Sequence, residues 1–188
     1  MQDIVYFDLE TRYSAAEVGG WSHPEKMRLS IGVTYSTALD KYIIYREEEV
    51  MDLINQLRRA DLVVGYNHIN FDYGVLQGYD MWSMADTTRN LDLCKYLEEQ
   101  SGIRLKLDSV AKASLKHTKT AEGTQALEWW AEYESTGNPE PLLSIARYCC
   151  YDVKVTRDVH RFGVENGYVL YDSRTNGEFE KIPVDWKI

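Results

Sequence analysis

Apolar residues occur first in short β-branched and aromatic runs and later at helical spacing. Residues 3–10 (Asp-Ile-Val-Tyr-Phe-Asp-Leu-Glu) have the composition of a buried strand. A turn-rich segment through Gly19-Gly20 and Pro24 follows. Residues 28–36 and 41–46 then predict two strands joined by a short loop, a hairpin that extends the first strand into a sheet. Val50, Leu53, Ile54 and Leu57 recur at helical spacing and predict a helix over 48–60, with a short apolar strand after it at 62–66. Residues 65–70 (Gly-Tyr-Asn-His-Ile-Asn) form a loop leading into a helix over 71–78. Residues 88–96 begin either a strand or a helix, and their period does not separate the two. Helical patterns cover 106–115, 122–134 and 141–164. The last carries apolar or small residues at 142, 145, 146, 149, 153, 156, 159 and 162.

Beyond Asn166-Gly167 the texture changes to Tyr-Val-Leu-Tyr, and Asn176-Gly177 is the preferred pair for a type I′ turn. Residues 167–184 are therefore expected to form a β-hairpin. The division expected is a main domain over 1–166 and an appended hairpin over 167–188. This order of strands and helices predicts an α/β fold whose mixed central sheet is flanked by helices.

Composition narrows the class. A chain of 188 residues with 44% hydrophobic and 12% aromatic content can bury one sizeable core. Twenty-one basic against 30 acidic residues give a net charge of −9, which argues against coating nucleic acid through bulk charge and leaves a local basic groove open. The cysteines, Cys94, Cys149 and Cys150, show no metal-ligand spacing, which fits a reducing cytoplasm, and Cys149 and Cys150 read as small buried apolar residues. No apolar run approaches the roughly 20 residues needed to cross a bilayer, and Met1-Gln-Asp-Ile does not begin a signal-like segment. A soluble, unprocessed, cytoplasmic protein without a membrane partner is expected.

The candidate chemistry lies in the acids. Asp8 and Glu10, two residues apart on the first strand, share one face, while Phe7 and Leu9 point the other way. Asp72 stands where a loop turns into a helix. Tyr148 and Asp152, four residues apart on the long helix, stack on one face. Each feature alone is commonplace: an edge acid, a helix-start acid, a polar residue beside an apolar stripe. Together, four carboxylates at strand and helix ends would repel one another, and divalent cations resolve that conflict without protonating them. Oxygen-only ligands favour Mg²⁺ or Mn²⁺, and two such ions about 4 Å apart serve both the attacking and the leaving oxygen of a phosphodiester.

Phe7-Asp8-Leu9-Glu10-Thr11, Tyr66-Asn67 with Phe71-Asp72, and Tyr148-x-x-x-Asp152 resemble the three motifs of the DEDD exonuclease superfamily, on a ribonuclease H-like fold. Tyr148, with Arg147 where the histidine subgroup would place His, resembles the tyrosine subgroup (DEDDy). The second motif is most similar to the proofreading domain of family B DNA polymerases and to related helicase-linked predicted nucleases. The resemblance covers roughly residues 3–160. It implies that Asp8, Glu10, Asp72 and Asp152 hold two divalent ions, that Tyr148 orients or helps deprotonate the attacking water, and that Thr11 and Asn67 touch the terminal nucleotide. The implied reaction is removal of nucleoside monophosphates from the 3′ end of single-stranded DNA or RNA.

From Arg104 to Lys119, five cations (Arg104, Lys106, Lys112, Lys116, Lys119) against Asp108 give +4 locally, either a phosphate track or a solvated helix face, and His117 adds charge below neutrality. Trp129-Trp130 with Tyr133 either pack in the core or stack unpaired bases. His68 is expected in a loop hydrogen bond, and Trp21 with His23 could form a flap over the terminal base. The alternative to an enzyme is a non-catalytic nucleic-acid-binding or docking module. In either case the hairpin is a candidate contact for a helicase or polymerase partner.

Overall fold

The computed structural model describes residues 2–116, 124–172 and 179–186. The elements run β1 (Ile4–Thr11), α1 (Ala15–Val18), β2 (Leu29–Ser36), β3 (Lys41–Arg46), α2 (Val50–Arg59), β4 (Leu62–Gly65), α3 (Asp72–Leu76), α4 (Met84–Thr87), β5 (Asn90–Asp92), α5 (Leu93–Ser101), α6 (Leu107–Leu115), α7 (Thr124–Thr136), α8 (Pro139–Asn166), β6 (Tyr168–Asp172) and β7 (Phe179–Pro183).

Five strands form a mixed sheet in the order β3-β2-β1-β4-β5, with β1 central, antiparallel to β2 and parallel to β4. The alternation of β1 divides the core in two. Val5, Phe7 and Leu9 pack with Leu53, Ile54 and Leu57 of α2 and Val75 and Leu76 of α3. Tyr6 faces the opposite layer, with Val110 of α6 and Ile145, Cys149, Val153 and Val159 of α8. By the same period of two, Asp8 and Glu10 emerge on the α8 side.

The 28-residue α8 supplies the second half of the site. The Asn138 side chain caps it by accepting from the Glu140 N–H, and Gly167 closes it in the left-handed conformation. In α2 the four apolar positions read from the sequence are its buried residues. The ambiguous segment 88–96 contains both alternatives: β5 is a three-residue strand, too short to show alternation, and Asp92 ends it while accepting the Lys95 N–H to start α5. Helix α3 stops at Leu76, short of the expected Gly78, because the chain tightens into Gly78 N–H to Val75 and Tyr79 N–H to Leu76 carbonyl bonds.

The C-terminal hairpin is present, paired with Val169 opposite Ile182. Its Asn176-Gly177 turn lies outside the described residues. Expected as an appendage, the hairpin is part of the packing: Val169, Tyr171, Ile182, Val184 and Trp186 are buried in the α8-side core. The Ser114 hydroxyl donates to the Leu170 carbonyl at 3.1 Å and accepts its N–H at 2.8 Å, tying β6 to α6. Gly163 marks the closest approach, since a Cβ there would lie 2.4 Å from Trp186 Cε3. Among the described residues, no helix is long and apolar enough to cross a membrane.

Candidate metal centre and cleft

Strand β1 outruns β4, with which it pairs only from Ile4 to Tyr6, so its C-terminal half has a free edge on that side. On the other side the register with β2 shifts between Glu10 and Thr11, where Ser30 of β2 is left without a partner residue in the ladder. Asp72, the first residue of α3 and 4% exposed, uses the free edge: its Oδ1 accepts the Leu9 N–H at 3.1 Å.

Carboxylate oxygens of Asp8, Glu10 and Asp152 all lie within 4.8 Å of one another, which joins the end of β1 to the middle of α8. Asp72 is outside this trio but close enough to raise the pKa of both Asp8 and Glu10. Those two carboxyls are held well above the usual range, first by burial and then by the neighbouring acids. Burial pushes Asp72 up to about 7, with Asp92 adding to the shift and the Leu9 N–H opposing it.

Tyr148 lies one helical turn before Asp152 and hydrogen-bonds its carboxylate; burial and the acids Asp152, Glu10 and Asp8 push the phenol pKa up. Its ring meets the edge of Trp129 at 6.3 Å and 67°. Of the tryptophan pair, Trp130 is core, buried under the Arg12 guanidinium at 4.4 Å.

A cleft of about 1130 Å³ opens beside the acids, lined by Asp8, Glu10, Thr11, Asn67, Asp72, Arg104 and Lys106 together with Trp21, Phe71 and Leu127. Asn67 adopts positive φ (65°), and its Oδ1 accepts from Arg104 at 2.7 Å. Thr11 is buried and donates to the Tyr13 carbonyl. The cations divide by location. Arg104 and Lys106 lie on the cleft, whereas Lys112 faces Asp172 of the hairpin at 3.8 Å and Lys116 is exposed at the end of α6, neither lining the cleft. His117 and Lys119 lie outside the described residues. His68 is fully buried, with Nε2 3.3 Å from Asn90 Oδ1, the loop hydrogen bond expected of it.

Two residues make contacts at the site that the sequence did not signal. Asp92 accepts the N–H groups of Asn67 (2.8 Å) and Ile69 (3.1 Å) as well as that of Lys95, so one carboxylate orders the Asn67 loop and starts α5. An Asp just before an apolar helical run is a common N-cap, but no local pattern announces the bonds to the loop. Cys149, 0% exposed, places its thiol 3.4 Å from the Asp8 carbonyl and 3.5 Å from Asp8 Oδ2. Its partner is 141 residues away, which no local pattern signals.

An all-oxygen trio in which burial and mutual repulsion oppose ionisation is a donor set suited to a hard divalent cation. A family model described as the RNase_H superfamily matches residues 5–161, a span that contains the trio, Asp72 and Tyr148. The chain belongs to the RNase H superfamily. No curated protein matches this RNase H superfamily chain. Among solved structures it is similar to the family B DNA polymerase from the hyperthermophilic archaeon Pyrobaculum calidifontis, with TM-score 0.65 and 16% identity over 87% of this chain. That match covers 25% of the polymerase, so the chain spans about a quarter of its length. At this identity the likeness is one of fold.

Proposed function

We propose that this RNase H superfamily domain is a metal-dependent 3′-5′ exonuclease of the DEDDy type, acting on single-stranded DNA or RNA and releasing nucleoside monophosphates. The observation that carries the reading is the convergence of Asp8, Glu10 and Asp152 within 4.8 Å, with the Tyr148 hydroxyl on Asp152. In this reading the trio and Asp72 hold two Mg²⁺ or Mn²⁺ ions. When bound, such a pair supplies Lewis acidity on both sides of the scissile phosphodiester.

The chain's own groups do the rest. A phenol whose pKa is pushed up is a poor base, so Tyr148 orients the attacking water through its hydroxyl and does not take its proton, which a bound divalent ion would make easier to lose to solvent. Arg104 and Lys106, which line the same cleft as the acids, neutralise phosphates of the entering strand. Thr11 and the Asn67 loop, fixed by Asp92, shape the end that receives the terminal nucleotide. The proposed division gives the nuclease chemistry to residues 1–166, with the 167–188 hairpin packed into the same core and its outer face the contact for a helicase or polymerase partner.

The test is digestion of 5′-labelled single-stranded DNA and RNA with Mn²⁺. A ladder that shortens one nucleotide at a time from the 3′ end is expected for at least one of the two. Release of the 5′ label as a mononucleotide, or no product from either, would overturn the reading.

A further inference from the structure

The two adjacent tryptophans of α7 have different surroundings. Trp130 is buried beneath the Arg12 guanidinium, whereas Trp129 is half-buried, with its ring 6.3 Å from that of Tyr148 at 67°. Consecutive helical residues point about 100° apart, so contacts that fix one of the pair also fix the direction of the other. Trp129 is not among the described residues that line the cleft.

The helix beneath Trp129 is firmly held. Arg12 directly follows Thr11, the last residue of β1; its Nη2 lies 2.6 Å from Glu47 Oε2 and its Nε donates to the Leu29 carbonyl at 3.0 Å. The cation over Trp130 is therefore itself fixed. Arg46, the last residue of β3, donates to the Tyr133 hydroxyl at 3.2 Å, and the Tyr133 ring lies 5.4 Å from that of Trp130. Both arginines stand at the end of the sheet that carries Glu10. Beyond the helix, Gly137 takes φ 67° and its N–H donates to the Tyr133 carbonyl at 2.8 Å, which reverses the chain into α8. Helix α7 thus packs along α8, and Trp129 and Tyr148 come level on either side of the turn.

Tyr148 gains from such a neighbour. Its hydroxyl bonds Asp152 one helical turn along, yet the ring is only half-buried and turns about two side-chain torsions. Another staggered state of the first torsion swings the hydroxyl away from the acids. A wall that closes off that state fixes the geometry before the strand arrives, when orientation matters most for the rate. A ring in edge-to-face contact provides that wall.

Resting on the exonuclease reading above, we propose that Trp129 is a positioning residue, which confines the Tyr148 ring to the orientation in which its hydroxyl reaches Asp152 and the attacking water. Trp129 acts through Tyr148 on the rate of cleavage and leaves strand affinity unchanged.

The test is single-turnover cleavage of 5′-labelled single strands, DNA and RNA, by the full chain with Mn²⁺, at enzyme concentrations that separate the saturated rate from the half-saturating concentration. Trp129→Ala and Trp129→Leu should each lower the saturated rate about 2- to 13-fold, the equivalent of one lost aromatic pair, at an unchanged half-saturating concentration. The leucine variant keeps apolar bulk on α7 and carries the test if melting curves show that the alanine variant has lost its fold. Trp129→Phe retains a ring and should restore most of the rate. In the Tyr148→Phe background, where the hydroxyl is gone, Trp129→Leu should cause no further loss. An equal loss in both backgrounds, or a wild-type rate from Trp129→Leu, would overturn the positioning role while leaving the nuclease reading intact. A wild type that cleaves neither strand would overturn both.

Discussion

The thiol of Cys149 stands 3.5 Å from Oδ2 of Asp8, so a buried side chain of α8 supplies a donor directly to an acid of β1. The thiol is held well above its usual pKa, first by burial and then by Asp8, Glu10 and Asp152, and it remains the neutral donor at physiological pH. Cys149→Ser keeps a donor of similar size, whereas Cys149→Ala removes it and frees the Asp8 carboxylate to rotate. A lost hydrogen bond of about 0.5–1.5 kcal/mol corresponds to a roughly 2- to 13-fold fall in turnover for the alanine variant, with the serine variant near wild type. Steady-state rates of the two variants side by side check this, and equal rates for all three proteins would remove Asp8 orientation from the account.

The acid cluster sets a stability slope against pH. Asp8, Glu10 and Asp72 have folded-state pKa values above those of the unfolded chain, Asp72 at about 7, so the folded protein binds more protons across that window. Stability of the metal-free protein therefore falls as pH rises from about 4 to above 7. Melting curves in chelator should show that fall. Mn²⁺ should raise the melting temperature most at the alkaline end, where the carboxylates are ionised. A melting temperature independent of both pH and Mn²⁺ would contradict the clustering.

Tyr148→Phe removes one hydroxyl and keeps the ring against Trp129. On the proposed role of the phenol in orienting the water, turnover should fall by roughly 10- to 1000-fold while Mn²⁺ affinity changes little. Single-turnover kinetics combined with Mn²⁺ titration separate the two quantities, and a wild-type rate would make Tyr148 a packing residue.

Trp186 is buried against Gly163 and stacks on His160. Trp186→Ala should cost about 3–5 kcal/mol of stability, in the range for removing a large core aromatic. Truncation after Asn166 should abolish cooperative unfolding. Urea denaturation measures both. A loss below about 1 kcal/mol on Trp186→Ala would return the hairpin to the status of an appendage.

Much of this arrangement was legible before the fold was known. The alternation Phe7-Asp8-Leu9-Glu10 assigns faces on any strand, and the period of α8 carries Tyr148 and Asp152 onto one stripe. What the sequence could not show depends on contacts between distant segments. The charge sum over 104–119 treats five cations alike, yet Arg104 and Lys106 precede α6 in a loop at the cleft while Lys112 sits on the helix facing the hairpin. The hairpin's inner face is apolar at alternate positions, as any half-buried hairpin's would be, and only the packing of Trp186 on α8 shows what covers it. The Asp92 bonds to the Asn67 loop and the Cys149 contact with Asp8 likewise follow from the sheet order and not from local pattern.

In the proposed function, carboxylates from β1 and α8 jointly hold the metal on which cleavage depends. The most direct test is digestion of a 5′-labelled single strand by wild type, Asp8→Asn and Asp152→Asn, first in chelator and then after excess Mn²⁺. No cleavage by any protein is expected in chelator, and a stepwise 3′-end ladder is expected from the wild type alone once Mn²⁺ is added. Both variants should stay folded and lose Mn²⁺ affinity. Cleavage in chelator, or a wild-type ladder from Asp152→Asn, would contradict that reading.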